Sequence, residues 1–280
     1  TGCFRMTSNE VENLEIQLLL DAIFLRYGYD FRNYARASIR RRILQFMKDQ
    51  RIAWVSEMIP RLMHDESFFE EMLRGFSITV TEMFRDPSLF LALRETILPL
   101  LKSYPYIKIW HAGCSTGEEA YSLAVLMAEE GLGDRATFFA TDFNDTALEK
   151  ARQGIYSLDN ARQYTLNYQL AGGRHSFSDY YYARYDALAM KSRLKEKITF
   201  ANHNLVMDQV FTETHLILCR NVLIYFNKEL QERVIRLFYE SLTHGGFLCL
   251  GMKESLLFSS YQDKFKEIDS KNKIFQKLSG

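Results

Sequence analysis

Gly113 and Gly117 bracket Ser115 and Thr116, and Glu118 and Glu119 follow directly. A glycine offers no Cβ, so the backbone there can turn tightly and lie close against a ligand. When such a loop follows a strand and opens a helix, it is where a doubly wound sheet holds a nucleotide-type cofactor. The flanking residues meet that condition: Ile107 to Trp110 is short, apolar and β-prone, and from Thr116 the apolar spacing turns helical through Ala120, Leu123, Ala124 and Met127. Ser115 and Thr116 are each placed to cap that helix, with a glutamate three residues further on.

No lysine follows the glycines, as a phosphate cradle would need, and two carboxylates stand where a pyrophosphate wants positive charge. A cationic cofactor fits better. S-adenosylmethionine carries a sulfonium and an ammonium and no phosphate, so Glu119 can meet the ammonium and Gly113 can give it room; a dehydrogenase reading is disfavoured by the same two acids. Alternatively, the glutamates only complement the helix dipole. Asp142 closes the next strand, Ala136 to Ala140, about one βα unit later, where an acid binds ribose hydroxyls or else caps the helix that follows. Asn221, at the end of the apolar run from Leu216, can bond an adenine edge and the reacting end of the cofactor, or serve turn chemistry alone. Tyr225 adds a polar tip on an apolar body. Thr79, Thr81 and Arg85 lie among Ile78, Val80, Phe84 and Phe90 and require partners; Arg85 reads equally as a domain-linking ion pair or an active-site residue. His111 and His175 read as ordinary polar residues, and no metal-type cluster of ligands is present.

The elements that position these residues follow from periodicity. Glu10 to Tyr27 reads as a largely buried helix around Leu14, Leu18 and Phe24. Residues 31 to 51 carry Arg32, Arg36, Arg40, Arg41, Arg42, Lys48 and Arg51 against one acid, with Ile39, Ile43, Phe46 and Met47 as an apolar stripe, making a basic amphipathic helix. That face is either solvated or a dock for an acidic helix. Helical segments at 56–63 and 67–76 complete a small all-helical domain. A helix from Phe90 to Leu101 leads to the first strand. Residues 155–195, with Tyr164, Tyr168, Phe177, Tyr180, Tyr181, Tyr182 and Tyr185, interrupt the βα rhythm as a hairpin-rich insertion whose aromatics pack locally. Further strands are expected at 198–201, 216–219, 247–252 and 273–277, the last antiparallel, with a helix from Gln231 to Leu242 ended by His244, Gly245 and Gly246.

Composition sets the bounds. The 280 residues suffice for one large or two ordinary domains; 47% hydrophobic and 25% charged residues are globular values, and the formal net charge is zero. No apolar run approaches the ~18 to 20 residues of a membrane span. Cys3, Cys114, Cys219 and Cys249 are too far apart for metal pairing and read as reduced thiols of a cytoplasmic protein. No secretory leader opens the chain, and Thr1 in place of Met points to a native start elsewhere.

Several motifs together resemble the chemotaxis receptor methyltransferases, the CheR family: Thr81 to Asp86, Ala112 to Ser122, Ala140-Thr141-Asp142, Ala151 to Tyr156, Asn204-Leu205 and Cys219 to Phe226. The resemblance runs from about Leu14 to the C-terminus. It implies an α/β fold, a doubly wound S-adenosylmethionine-dependent methyltransferase sheet at 79–280 with a small inserted β-subdomain at about 157–196, preceded by an all-helical N-terminal domain at 1–78. It implies transfer of a methyl group to glutamate carboxylates of receptors, leaving S-adenosylhomocysteine, with no metal. Cofactor contacts are implied at Thr79, Thr81, Arg85, Glu119, Asp142, Asn204, Leu205, Asn221 and Val222; the family often has Asn where this chain has Thr79. Arg85 is placed beside the transferred methyl, with Tyr225 nearby. The partner implied is the cytoplasmic domain of methyl-accepting chemotaxis receptors, with no nucleic acid and no membrane insertion; the basic face around Arg36 and Arg40 is expected to receive its acidic helix, and the enzyme to be a monomer. In some members the β-subdomain tethers the enzyme to a receptor peptide; the divergent insertion here is not expected to. The alternatives are a methyltransferase of this fold acting on another protein, and a signalling module that binds S-adenosylmethionine without turnover.

Overall fold

The computed structural model describes residues 6–76, 81–210, 212–257 and 259–278; the expectations for Cys3 and Thr79 lie outside them. The chain divides into two units, one of residues 6–76 with Tyr225–Gln231, the other of the remaining described residues.

In the first unit α1 (Ser8–Tyr27) starts at a capping box between Thr7 and Glu10 and ends at Gly28, whose φ of 77° is the left-handed stop a glycine supplies. It is followed by α2 (Arg36–Gln50), α3 (Met58–His64) and α4 (Glu66–Phe76). The core joins Leu19 and Ile23 to Ile43, Met58, Leu62, Met72 and Phe76, and the Tyr27 ring stacks on Phe69 at 3.7 Å. Contrary to the expectation of a largely buried first helix, Leu14 and Leu18 are 45% and 49% exposed. The apolar residues of α1 run all round it, and only the side with Ile16, Leu19, Leu20 and Ile23 is covered. Tyr225 to Asn227 join this unit by backbone: Ala35 N–H donates to Tyr225 O at 2.8 Å and Asn227 N–H to Asn33 O at 2.9 Å.

The second unit opens with α5 (Pro87–Ala92), which passes through a π-helical turn, Leu93–Ile97, into α6 (Leu98–Leu101). Alternation of strand and helix then gives β1 (Ile107–Ala112), α7 (Glu118–Glu129), β2 (Ala136–Asp142) and α8 (Asp145–Gln153). The insertion comprises β3 (Ile155–Ser157), α9 (Ala161–Leu170), β4 (Tyr181–Arg184) and β5 (Ala187–Met190), its strands ordered β3-β5-β4. α10 (Ser192–Lys195), β6 (Ile198–Asn202), β7 (Thr214–Cys219), α11 (Lys228–Ser241), β8 (Leu242–Leu250), β9 (Phe265–Asp269) and β10 (Ile274–Lys277) complete the chain. Among the described residues, seven strands form one sheet in the order β6-β2-β1-β7-β8-β10-β9. All its pairings are parallel except those of β10 with β8 and β9. The fold is thus a doubly wound, mostly parallel sheet preceded by a helical unit. Strand order reverses beside β1, between β2 and β7, and the crevice of such a sheet opens at that point, at the carboxyl ends.

Packing corrects or adds to the expectations at four points. The insertion is not hairpins alone: α9 buries Tyr164, Asn167 and Tyr168. Its aromatics divide, Phe177 and Tyr180 being buried while Tyr185 is 97% exposed. Glycines 245 and 246 do not end α11, which stops at Ser241; β8 begins ahead of them, and its register against β7 shifts between Thr214 and Leu216. β9, with one buried end only, carried no readable alternation.

α7 is buried along nearly its whole circumference, which explains why its residues are apolar all round. The sheet lies under it and the insertion packs over it: Tyr156 OH donates to Thr116 O at 2.8 Å, and Tyr168 and Tyr180 hydroxyls both donate to Glu129, which also pairs with Arg94. Gly117 admits this packing. At φ 91° it is left-handed, and a Cβ there would stand 2.9 Å from Ala151 Cβ on α8 and 3.3 Å from a Phe200 ring carbon. Gly117→Ala is expected to lower the unfolding free energy by about 2–5 kcal/mol, backbone strain and overlap together, without changing the urea m-value; a loss below about 1 kcal/mol in urea titration would show that α7 and α8 part freely.

Candidate active site

The carboxyl ends of β1, β2, β6 and β7 deliver most of the residues singled out from sequence. After β1 the loop is tied to β2 rather than left open: Gly113 and Cys114 N–H both donate to Thr141 O, at 2.8 and 2.9 Å, and Ser115 N–H donates to Asp142 Oδ2 at 2.8 Å. Gly117 N–H closes on Cys114 O at 3.0 Å. These are the amides that would cradle a phosphate, and all four are engaged. Gly113, at φ 81°, gives its room to protein, since a Cβ there would lie 2.5 Å from Val222 Cγ2. Glycine is thus needed at both positions for chain-on-chain approach.

The expected caps are corrected. α7 begins at Glu118 with Gly117 as N-cap and no side-chain cap bond; Thr116 Oγ1 donates instead to the Glu118 carboxylate at 2.6 Å. Ser115 takes a left-handed φ of 52° and its Oγ is buried without a hydrogen-bond partner. Asp142 does not cap α8 either, because Asn144 does so, accepting from Ala147 N–H at 3.1 Å. Asp142, 8% exposed, receives Ser115 N–H on one oxygen and Asn144 N–H, at 3.0 Å, on the other. Burial pushes its carboxyl above the usual range despite these donors. The Phe143 amide also acts on this carboxylate, which still has acceptor capacity for a hydroxyl donor.

The two adjacent glutamates are driven in opposite directions. Glu118 is buried, and desolvation raises it to about 7 against the Thr116 hydrogen bond. Burial also works against ionised Glu119, but His111 Nδ1 at 3.1 Å and the Arg220 guanidinium at 2.8 Å outweigh it and hold Glu119 at about 2. Arg220, its side chain 2% exposed, also pairs with Asp86 at 2.5 Å. Glu119 and Asp86 are thus gathered about one cation, while Asp142 is held by backbone amides instead.

Asn221 lies at φ 60°, and the turn it belongs to is held by Glu254, which is 4% exposed. This carboxylate accepts from Gly251 at 2.6 Å, Val222 at 2.8 Å, Asn221 at 3.1 Å and Ile224 at 3.3 Å. Asn204 forms a tight turn of its own, accepting from Val206 N–H at 3.0 Å, with Leu205 buried behind it. Thr81 and Arg85 are half-buried ahead of α5. Of the seven non-glycine residues with positive φ among those described, Phe84, Asp86, Ser115 and Asn221 belong to this region, a concentration of backbone strain that marks functional sites. In the helical unit, Arg36 and Arg40 are exposed on α2, Arg40 forked onto Glu12 at 2.5 and 3.2 Å, and the Tyr225 ring lies 4.4 Å under the buried Arg42 guanidinium.

Arg220, Glu254 and the pairing role of His111 escaped the sequence reading. For Arg220 a signal existed: a lone cation in the apolar run 216–226 must meet an acid. Glu254, in a loop after β8, gave none.

The donor set fits S-adenosylmethionine. Carboxylates with spare lone pairs and an unpartnered buried hydroxyl suit a cationic, hydroxyl-bearing nucleoside, whereas spent amides and acids repel a pyrophosphate. Among the described residues, no group of His, Cys, Asp and Glu is arranged to hold a metal, and no helix is long and apolar enough to cross a membrane.

Glu118 makes stability pH-dependent. Its folded value, about 7, lies above the ordinary 4.5, so its contribution is complete below 4.5 and is lost as pH rises through 7. Glu118→Gln, which keeps the neutral form, is expected to remove up to about 3 kcal/mol of that decline. Urea midpoints read across this range would place the decline elsewhere if the variant retained the full slope.

Comparison with known proteins shows the family of the chain. Residues 79–274 match the family model described as CheR methyltransferase, SAM binding domain, and residues 14–77 match CheR methyltransferase, all-alpha domain. The chain is 52% identical over 272 residues to Cher3 of Pseudomonas putida, covering 97% of this chain and all of that one. It is 31% identical to a 104.1 kDa protein of Rhodobacter capsulatus, covering 93% of this chain and 27% of that protein. It is 32% identical to a chemotaxis protein methyltransferase of Listeria monocytogenes, covering 82% and 86%. With both family models matched in order along its length, the chain belongs to the CheR methyltransferases.

Proposed function

We propose that this S-adenosylmethionine-dependent methyltransferase esterifies glutamate side chains in the cytoplasmic domain of methyl-accepting chemotaxis receptors, acting as a monomer in the cytoplasm. The observation that carries the cofactor reading is the glycine loop, whose amides are spent on Thr141 and Asp142 while its carboxylates remain. Asp142, Glu119, Asn204, Leu205, Asn221 and Val222, with Thr79 and Thr81, would hold the nucleoside and its amino-acid end. The bound cofactor supplies an electrophilic methyl on a sulfonium and leaves as neutral S-adenosylhomocysteine. The division proposed is a helical domain at 1–78, a methyltransferase domain at 79–280 and an insertion at about 157–196.

A glutamate carboxylate is ionised at neutral pH, so the protein needs no strong general base. What it must supply is alignment and a site from which water is excluded. Arg85 orients the incoming carboxylate by a charge-assisted fork and releases it once esterification removes the charge; Tyr225 is a second orienting group. The exposed arginines of α2 give the acidic receptor helix its docking face, and this favours glutamates over amidated positions. Arg40 exchanges its Glu12 partner for a receptor acid in doing so.

Labelled methyl transfer into a receptor fragment tests the reading: base-labile counts should appear with glutamate at the accepting positions and disappear with glutamine. Cofactor bound without any transfer would leave a ligand sensor, and transfer into base-stable linkage would mean another acceptor. Arg85→Ala is expected to lower kcat at least about 100-fold while calorimetry finds the cofactor Kd changed less than about 3-fold; near-normal turnover would remove Arg85 from the role. Replacing Arg36 and Arg40 by Glu should raise KM for the fragment and flatten its dependence on salt. An unaltered KM would make that face merely solvated.

A further inference from the structure

Arg85 stands between two left-handed residues, Phe84 at φ 53° and Asp86 at φ 55°, neither of them glycine. A backbone of that kind persists only where its surroundings determine it. On the Phe84 side they do so by packing: the ring meets Phe90, Tyr168 and Phe177 with centroids at 5.1, 5.4 and 6.0 Å. Phe84 N–H donates to Ser122 Oγ at 2.8 Å, and Asn167 Nδ2 donates to Met83 O at 3.0 Å. On the other side, the Asp86 side chain is 36% exposed, so burial does not set it; its carboxylate is taken by Nη2 of Arg220. Asp86 O then accepts Leu89 N–H at 2.9 Å, which starts α5. The other arm of the same guanidinium, Nη1, holds Glu119 Oε2 at 2.8 Å.

We propose that Arg220 is a positioning residue which, from the end of β7, sets the turn carrying Arg85 through Asp86 and sets the Glu119 carboxylate through its other arm. One rigid planar group thereby places the substrate-orienting cation and the cofactor-facing acid in a fixed relation. Lysine cannot replace it, because a point ammonium does not span two carboxylates in a defined plane. The inference rests on the reading of Arg85 as the residue that orients the accepting carboxylate, and it adds what keeps Arg85 in place.

Asp86→Asn isolates the arm toward Arg85: asparagine tolerates the left-handed backbone and matches the volume, but loses the charge. In the full-length protein this variant is expected to lower kcat for methyl transfer about 10- to 100-fold, with the cofactor Kd by calorimetry and KM for the receptor fragment within about 3-fold of the parent. Arg220→Lys, which loses both arms, should lower kcat and weaken cofactor binding at least about 10-fold. Amide hydrogen exchange over 81–90 reads the turn without the reaction and should quicken in Asp86→Asn. Unchanged exchange or parental kcat in Asp86→Asn overturns the inference, as does an equal loss of kcat and cofactor affinity, which a general loosening of the fold would produce. If Arg85→Ala keeps its turnover while exchange in Asp86→Asn quickens, the role of Arg85 is what fails, and the coupling of Arg220 to the turn stands.

Discussion

A guanidinium removed from water cannot shed its charge, and Arg220 is such a group, with 2% of its side chain exposed at the end of a buried strand. Two acids from distant stretches must therefore come to it: Glu119 in the first turn of α7 and Asp86 in the turn ahead of α5. Burying an ion pair adds little net stability once desolvation is counted. Its effect is on placement, since the carboxyl end of β7 becomes the fixed point from which the glycine-loop helix and the strained turn at Arg85 take their positions. His111, wholly buried on β1, holds the far oxygen of Glu119, so that carboxylate is gripped from two neighbouring strands.

The same economy governs the glycine loop. Tying Gly113, Cys114 and Ser115 to β2 removes the amides that a phosphate-binding loop displays, and leaves a surface on which carboxylates set the potential. Neighbouring Glu118 and Glu119 then separate in role by environment alone. The one among tyrosines is raised to about 7 by desolvation and is uncharged only below that pH; the one facing His111 and Arg220 stays ionised well below neutral pH. The left-handed backbones at Phe84, Asp86, Ser115 and Asn221 are concentrated where these charges meet, each held by partners from another segment.

How much of this was legible in the sequence depended on whether the cause was local. The first strand, its glycine turn and α7 could be read because apolar period and glycine spacing are short-range signals, and the acid closing β2 followed from its distance to them. Short-range rules also misled: Ser115 and Thr116 are good capping residues, yet the chain uses Gly117, because the tertiary demand for a left-handed, Cβ-free position against Ala151 outranks a cap. Exposure of Leu14 and Leu18 could not be inferred, since a helix apolar on all sides does not say which side is covered. Glu254 was invisible for another reason: its four backbone donors come from two loops after different strands, and only the folded sheet makes those loops neighbours.

The layer over α7 carries a consequence for how this family can diversify. Tyr156, Tyr168 and Tyr180 are buried with their hydroxyls bonded to Thr116 and Glu129, and Gly173 lies so near the Tyr168 ring that a Cβ would stand 2.3 Å from it. The insertion is thus the roof of α7, and excising it would strip cover from a helix that is buried along nearly its whole circumference. Its outer hairpin, where Tyr182 and Tyr185 face solvent, bears no such duty. Substitution at that rim leaves these bonds untouched, while loss of a tyrosine from the ceiling beneath would leave a buried acceptor on or beside α7 without its donor.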